Sequence, residues 1–133
     1  MNDKTSHARQ WLVKAASDLT AAQRLLDAGG PFDAVCFHAQ QAAEKALKAW
    51  LAAADAPIPR THNLEDLQAL CLALPPIVVA SGLGGLDLSG LTPFAVESRY
   101  DNEFWPERGE AEEAVALAAS VCAAIRPMVE EMK

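Results

Sequence analysis

Apolar side chains at Ala8, Leu12, Ala15, Leu19, Ala22 and Leu26 recur in alternating steps of four and three, the period of one face of an α-helix. Lys14, Ser17, Asp18 and Arg24 fall mostly off that stripe, so the spacing predicts a first helix over residues 4–28. Gly29 and Gly30 suit the left-handed backbone that follows a helix, and Pro31 suits the first turn of the next one because it has no amide hydrogen to leave unpaired. A second helix over residues 32–54 is rich in alanine, with larger apolar side chains at Phe37, Leu47, Trp50 and Leu51. Its small residues let a neighbouring helix approach closely. Pro57 and Pro59 prevent its continuation.

Asn63 is placed to cap a third helix, with Glu65 and Asp66 near the positive end of its dipole and an apolar face of Leu64, Leu67, Leu70 and Leu74. Pro75 and Pro76 close it. Residues 77–90 contain four glycines and read as a loop with room for a short helical turn. A short fourth helix is expected over 91–101. The last, over 107–131, carries the stripe Ala111, Ala114, Ala118, Val121, Ile125 and Val129, with Pro127 expected to kink it or loosen its final turn. No strand pattern intervenes. The expected architecture is all-α: an antiparallel up-and-down four-helix bundle with a short additional helix, in a single domain covering residues 1–133.

Composition narrows the function. A chain of 133 residues, 51% hydrophobic, can bury one core. Its apolar runs, such as residues 77–80, fall far short of a membrane span, and its polar start reads as neither signal nor anchor. Cys36, Cys71 and Cys122 are far apart within apolar helical patterns, as expected of buried thiols in a cytoplasmic protein rather than disulfides or metal ligands. The net charge of −7 argues against a broad nucleic-acid surface. Yet Lys45, Lys48 and Arg60 outnumber Glu44 and Asp55 between residues 34 and 63, which leaves room for a local anion site. Residues 101–113 are strongly acidic, which suits either a helix start or docking of a basic partner, the helix start being the simpler account.

Three segments carry candidate chemistry. In Cys36-Phe-His-Ala-Gln-Gln-Ala-Ala-Glu-Lys-Ala-Leu-Lys48, the residues His38, Gln41, Lys45 and Lys48 follow at three or four positions and share a helical face. That row of donors could meet a phosphate or carboxylate, while Glu44 and Lys48 could equally form a surface pair worth about 0.3–0.5 kcal/mol. In Arg60-Thr-His-Asn-Leu64, a base and an imidazole precede a helix N-terminus, where free amides attract anions; alternatively Thr61 or Asn63 only caps the helix and His62 is a solvated loop residue. In Glu97-Ser-Arg-Tyr-Asp101, Arg99 could clamp a phosphate and Tyr100 stack on a base, or Arg99 could pair internally with Glu97, Asp101 or Glu103.

Trp11, Trp50 and Phe94 fall at apolar helical positions and are expected in the core, and His7 is expected to be a solvated end residue. The local signatures of nucleotide triphosphate hydrolysis, dinucleotide binding and zinc are missing, and no cofactor or metal is expected.

Taken together, Phe37-His-Ala-Gln-Gln-Ala-Ala-Glu-Lys-Ala-Leu-Lys48, then Arg60-Thr-His-Asn-Leu64, then Glu97-Ser-Arg-Tyr100 resemble the HEPN family, the higher-eukaryote and prokaryote nucleotide-binding domains, in its small stand-alone prokaryotic type. The resemblance runs across almost the whole chain. It implies a four-helix bundle with a short extra helix, a homodimer around a shared cleft, and frequent pairing with a minimal nucleotidyltransferase.

Many HEPN proteins are metal-independent ribonucleases whose motif is an arginine followed four to six residues later by a histidine. This chain departs from it. Arg99 is followed by Tyr100, Asp101, Asn102, Glu103, Phe104 and Trp105, and Arg60 stands only two residues from His62. The expectation is therefore a nucleotide- or RNA-end-binding module without catalytic residues, its cleft lined by His38, Gln41, Lys45, Lys48, Arg60, His62, Arg99 and Tyr100. The alternatives are a ribonuclease, as the toxin of a toxin–antitoxin pair, using Arg99 with His38 or His62, and a ligand-free scaffold for the nucleotidyltransferase.

Overall fold

A computed structural model describes residues 3–74, 82–95 and 105–130. Among the described residues there are four α-helices: α1 Asp3–Asp27, α2 Phe32–Ala53, α3 Leu64–Leu72 and α4 Arg108–Glu130. Two single 3-10 turns, Leu83–Gly85 and Thr92–Phe94, lie between α3 and α4. The architecture is an all-α bundle, and no strand occurs among the described residues.

The turn after α1 forces the first two helices to run antiparallel. Gly29 and Gly30 adopt φ of 90° and 117°, and the Gly30 amide donates to the Leu25 carbonyl at 2.8 Å, closing the end of α1 just before α2 starts. α2 is the central helix, packing against α1, α3 and α4. It therefore buries side chains around most of its circumference: Val35, Ala39, Ala42, Ala43, Ala46, Leu47 and Trp50 are all in the core. Alanines at these contacts bring the backbones close, so little apolar volume is needed to fill the gap. α4 contributes Ala111, Ala114, Ala118, Val121, Ile125 and Val129, the stripe expected from its sequence. Glu110 reaches back to the Glu107 amide at 3.2 Å, half of a capping box, which accounts for part of the acidic character of this helix start.

The expected face of α3 needs correction. In α3 the buried face is Leu64, Leu67 and Cys71, while Leu70 is 44% exposed and Leu74 only half-buried. Steps of three and four from Leu64 reach Cys71, whereas Leu70 lies about 100° round the helix from it. The fourth helix expected at residue 91 begins as the 3-10 turn Thr92–Phe94, and residues 96–101 of that expectation lie outside the described residues. The helical turn allowed within residues 77–90 is found at Leu83–Gly85. Helix α4 runs through Pro127 to Glu130; the carbonyl that Pro127 leaves without its usual amide belongs to the exposed Ala123 and can be met by water.

Candidate functional site

The polar side chains of α2 lie along its seam with α1 and along the start of α3. As α1 runs from Trp11 to Asp18, the antiparallel α2 runs from Lys48 back to His38. Asp18 is seven residues from Trp11, two helical turns, so both face α2. The seam carries two clusters, each built on one carboxylate.

The first is centred on Asp18. Its Oδ1 accepts from His38 Nδ1 at 2.9 Å, and its Oδ2 accepts from the Lys45 ammonium at 2.5 Å. Asp18 is largely buried, whereas His38 and Lys45 are 33% and 25% exposed. His38 also meets Phe37 edge-on at 5.5 Å between ring centroids.

The second is centred on Glu44. Its Oε2 accepts from Lys48 at 3.0 Å, and its Oε1 accepts from Gln40 at 3.1 Å and from His62 Nδ1 at 2.9 Å. Gln40 also donates to the His62 carbonyl at 3.3 Å, and its own side-chain oxygen accepts from Gln41 at 2.6 Å. The chain Gln41, Gln40, Glu44, Lys48 and His62 is thus one continuous network. Burial pushes the Glu44 carboxyl upward, but hydrogen bonds from Gln40, His62 and Lys48, together with the lysine charge, outweigh it and hold the carboxyl below its usual value.

The pair of Glu44 and Lys48, read from the sequence as a donor row or a surface pair, is a buried ion pair with side chains 6% and 9% exposed. A pair so placed is kept by its hydrogen bonds rather than by Coulomb attraction alone. His62 is not simply a solvated loop residue: its side chain is 58% exposed, yet Nδ1 is held by Glu44. The capping reading of its neighbours is also correct, since Asn63 accepts from the Asp66 amide at 3.0 Å and Thr61 from the Asn63 amide at 3.1 Å.

The structure therefore joins His38 with Lys45, and Gln41 with Lys48 and His62. Arg60 is exposed two residues before His62. Arg99 and Tyr100 lie outside the described residues. Sequence reasoning missed Asp18 and Gln40, and read Glu44 only as a surface partner. The signal for Asp18 was its heptad spacing from Trp11; Gln40, Glu44 and Lys48 share steps of four.

Of the aromatics expected in the core, Trp50 and Phe94 are buried, but Trp11 is only half-buried. Its indole N–H donates to the exposed His7 at 3.2 Å, and the ammonium groups of Lys14 and Lys48 stand 5.7 and 5.8 Å from its ring centroid. The three cysteines are buried free thiols; burial pushes Cys36 and Cys71 up to about 12 and Cys122 to about 11, which removes them as nucleophiles. Among the described residues no group of three or more His, Cys, Asp and Glu is placed to hold a metal ion, and no helix is long and apolar enough to cross a membrane.

With both imidazoles neutral, the two lysines and two carboxylates of the seam balance in charge. Each carboxylate fixes an imidazole through Nδ1 and leaves Nε2 as the remaining hydrogen-bonding atom of the ring. That nitrogen accepts a proton when the ring is neutral and donates a hydrogen bond when it is charged.

No curated protein matches the chain. Among solved structures, it is similar to the crystal structure of TT1696 from Thermus thermophilus, with 31% identity, a TM-score of 0.69, and coverage of 90% of this chain and 96% of that one. The model of the HEPN domain matches residues 8–128, which include both carboxylate clusters and all four helices almost in full. The chain belongs to the HEPN domain family.

Proposed function

We propose that this protein is a nucleotide- or RNA-end-binding HEPN module that acts as a homodimer, with a minimal nucleotidyltransferase as partner and without the ribonuclease motif. Family membership supports the coarse reading, a nucleotide- or RNA-related module. The observation that carries it further is the pair of carboxylate-held imidazoles, His38 on Asp18 and His62 on Glu44, each beside a lysine on one seam of the bundle.

The roles within the site differ from a uniform row of donors. His38, Lys45 and His62 are exposed enough to touch a phosphate, and Arg60 is close to His62 in the chain. Lys48 is buried and bonded to Glu44, so it positions the network rather than meeting the ligand. Gln41 acts through Gln40. Arg99 and Tyr100 complete the proposal as phosphate clamp and hydrogen-bond donor to the ligand. Calorimetric titration of the metal-free protein with ATP at low salt tests it: binding in the wild type and its loss in Arg99→Ala are expected. Absence of heat with the wild type overturns the nucleotide reading and leaves a scaffold for the nucleotidyltransferase.

One observation favours a second reading, a metal-independent ribonuclease acting as a toxin. A carboxylate holding His62 through Nδ1 orients Nε2 as a proton acceptor, the geometry of a general base. Cleavage of single-stranded RNA without metal, lost in His62→Ala, is its expected result. RNA left intact under conditions where a known ribonuclease cuts it sets this reading aside.

A further inference from the structure

Trp11 is the largest side chain on the seam that the proposed phosphate contacts leave unused. We propose that its indole ring is the base-binding platform of the site, so that the ligand is a nucleoside phosphate or RNA end held by its base as well as by its phosphate. This rests on the nucleotide reading above and adds a residue and an orientation to it.

Three features single the ring out. It is half-buried, which fixes its pose, yet its N–H points to the exposed His7 rather than into the core. It joins the hydrogen-bonded network through Lys48, whose ammonium lies 5.8 Å from the ring centroid and 3.0 Å from Glu44, which in turn holds His62 at 2.9 Å. Its second cation, Lys14, belongs to an exposed side chain one helical turn along α1; a flexible ammonium of this kind can leave the ring for a phosphate oxygen when a base takes its place. Stacking on an aromatic side chain tolerates any base, because every base has a π-face.

Charge decides the orientation. Beyond His7 the seam opens into a concavity of about 450 Å³ lined by Asp3, Lys4, Ala52, Asp55, Ala56 and Ile58, where two carboxylates oppose one ammonium. Phosphate is disfavoured there. At the other end stand Lys45 and the imidazoles of His38 and His62, more exposed than the carboxylates of Asp18 and Glu44 that hold them, so the groups offered to a ligand there are donors. The base therefore lies toward Trp11 and His7, and the phosphates toward His38, Lys45 and His62.

The test compares ATP with inorganic tripolyphosphate, which carries the charge without a base, by calorimetry on the wild type, Trp11→Phe and Trp11→Leu. The wild type is expected to bind ATP about 5- to 150-fold more tightly than tripolyphosphate, the range that stacking of one base supplies. Trp11→Phe keeps most of that preference and Trp11→Leu abolishes it, with tripolyphosphate affinity unchanged. Should Trp11→Leu fail to fold, Trp105→Phe provides the readout: Trp50 is 2% exposed, so quenching of emission by ATP and not by tripolyphosphate reports on Trp11. Equal affinity for the two ligands, or an undiminished preference in Trp11→Leu, overturns the platform and leaves the anion site standing. Binding of neither ligand overturns the nucleotide reading itself, and the platform with it.

Discussion

Nδ1 of His62, at the entrance to α3, lies 2.9 Å from Oε1 of Glu44, in the middle of α2. The bond ties the loop after α2 back onto the helix it has just left. Because the same carboxylate also accepts from Lys48 and Gln40, three side chains depend on one buried charge.

Glu44→Gln should therefore be strongly destabilising, by about 3–5 kcal/mol, since it leaves the ammonium of Lys48 buried without its counter-charge. Replacing both partners, Glu44→Gln with Lys48→Met, should recover much of that loss by removing the orphaned charge. Urea unfolding of the two single variants and the double variant measures the coupling. Additive losses would show that the two side chains do not depend on each other.

Acid should weaken the fold through the same group. Folding holds the Glu44 carboxyl below its ordinary value of 4.5, so the folded chain binds its proton less readily than the unfolded chain. The resulting stabilisation is complete above that ordinary value and is lost as pH falls through the lowered one. Urea midpoints taken between pH 6 and pH 3 should fall with acid in the wild type and fall less steeply in the double variant.

Asp18→Asn should cost far less, on the order of 1 kcal/mol or below, although Asp18 also joins an imidazole and an ammonium. His38 and Lys45 are 33% and 25% exposed, so water can replace much of what the carboxylate supplies. A urea midpoint near that of the wild type is expected, in contrast to Glu44→Gln.

Cys36, Cys71 and Cys122 should resist thiol reagents in the native state. All three are buried, with their thiols pushed up to about 11–12 by loss of solvation, so thiolate is scarce and access is closed. Labelling by a disulfide reagent at pH 8 should be slow without denaturant and reach all three sites in it. Fast native labelling of any one would contradict its burial.

The amphipathic period of α1 and α4, the Gly-Gly-Pro punctuation and the cap at Asn63 were enough to determine the helices, because each is a local property of neighbouring residues. The His38, Gln41, Lys45, Lys48 face and the Arg60-Thr-His-Asn segment were legible for the same reason. What the sequence did not determine was how those groups are partnered. Asp18 lies 20 residues before His38, and Glu44 lies 18 before His62; only the antiparallel packing of α1 on α2, and the turn that leads into α3, brings each carboxylate to its imidazole. The same packing decides that the pair of Glu44 and Lys48 is buried although its i to i+4 spacing suits an exposed helix face equally well, and that Trp11 stays only half-buried. Burial is set by what stands opposite a residue, and helical spacing alone carries no record of that.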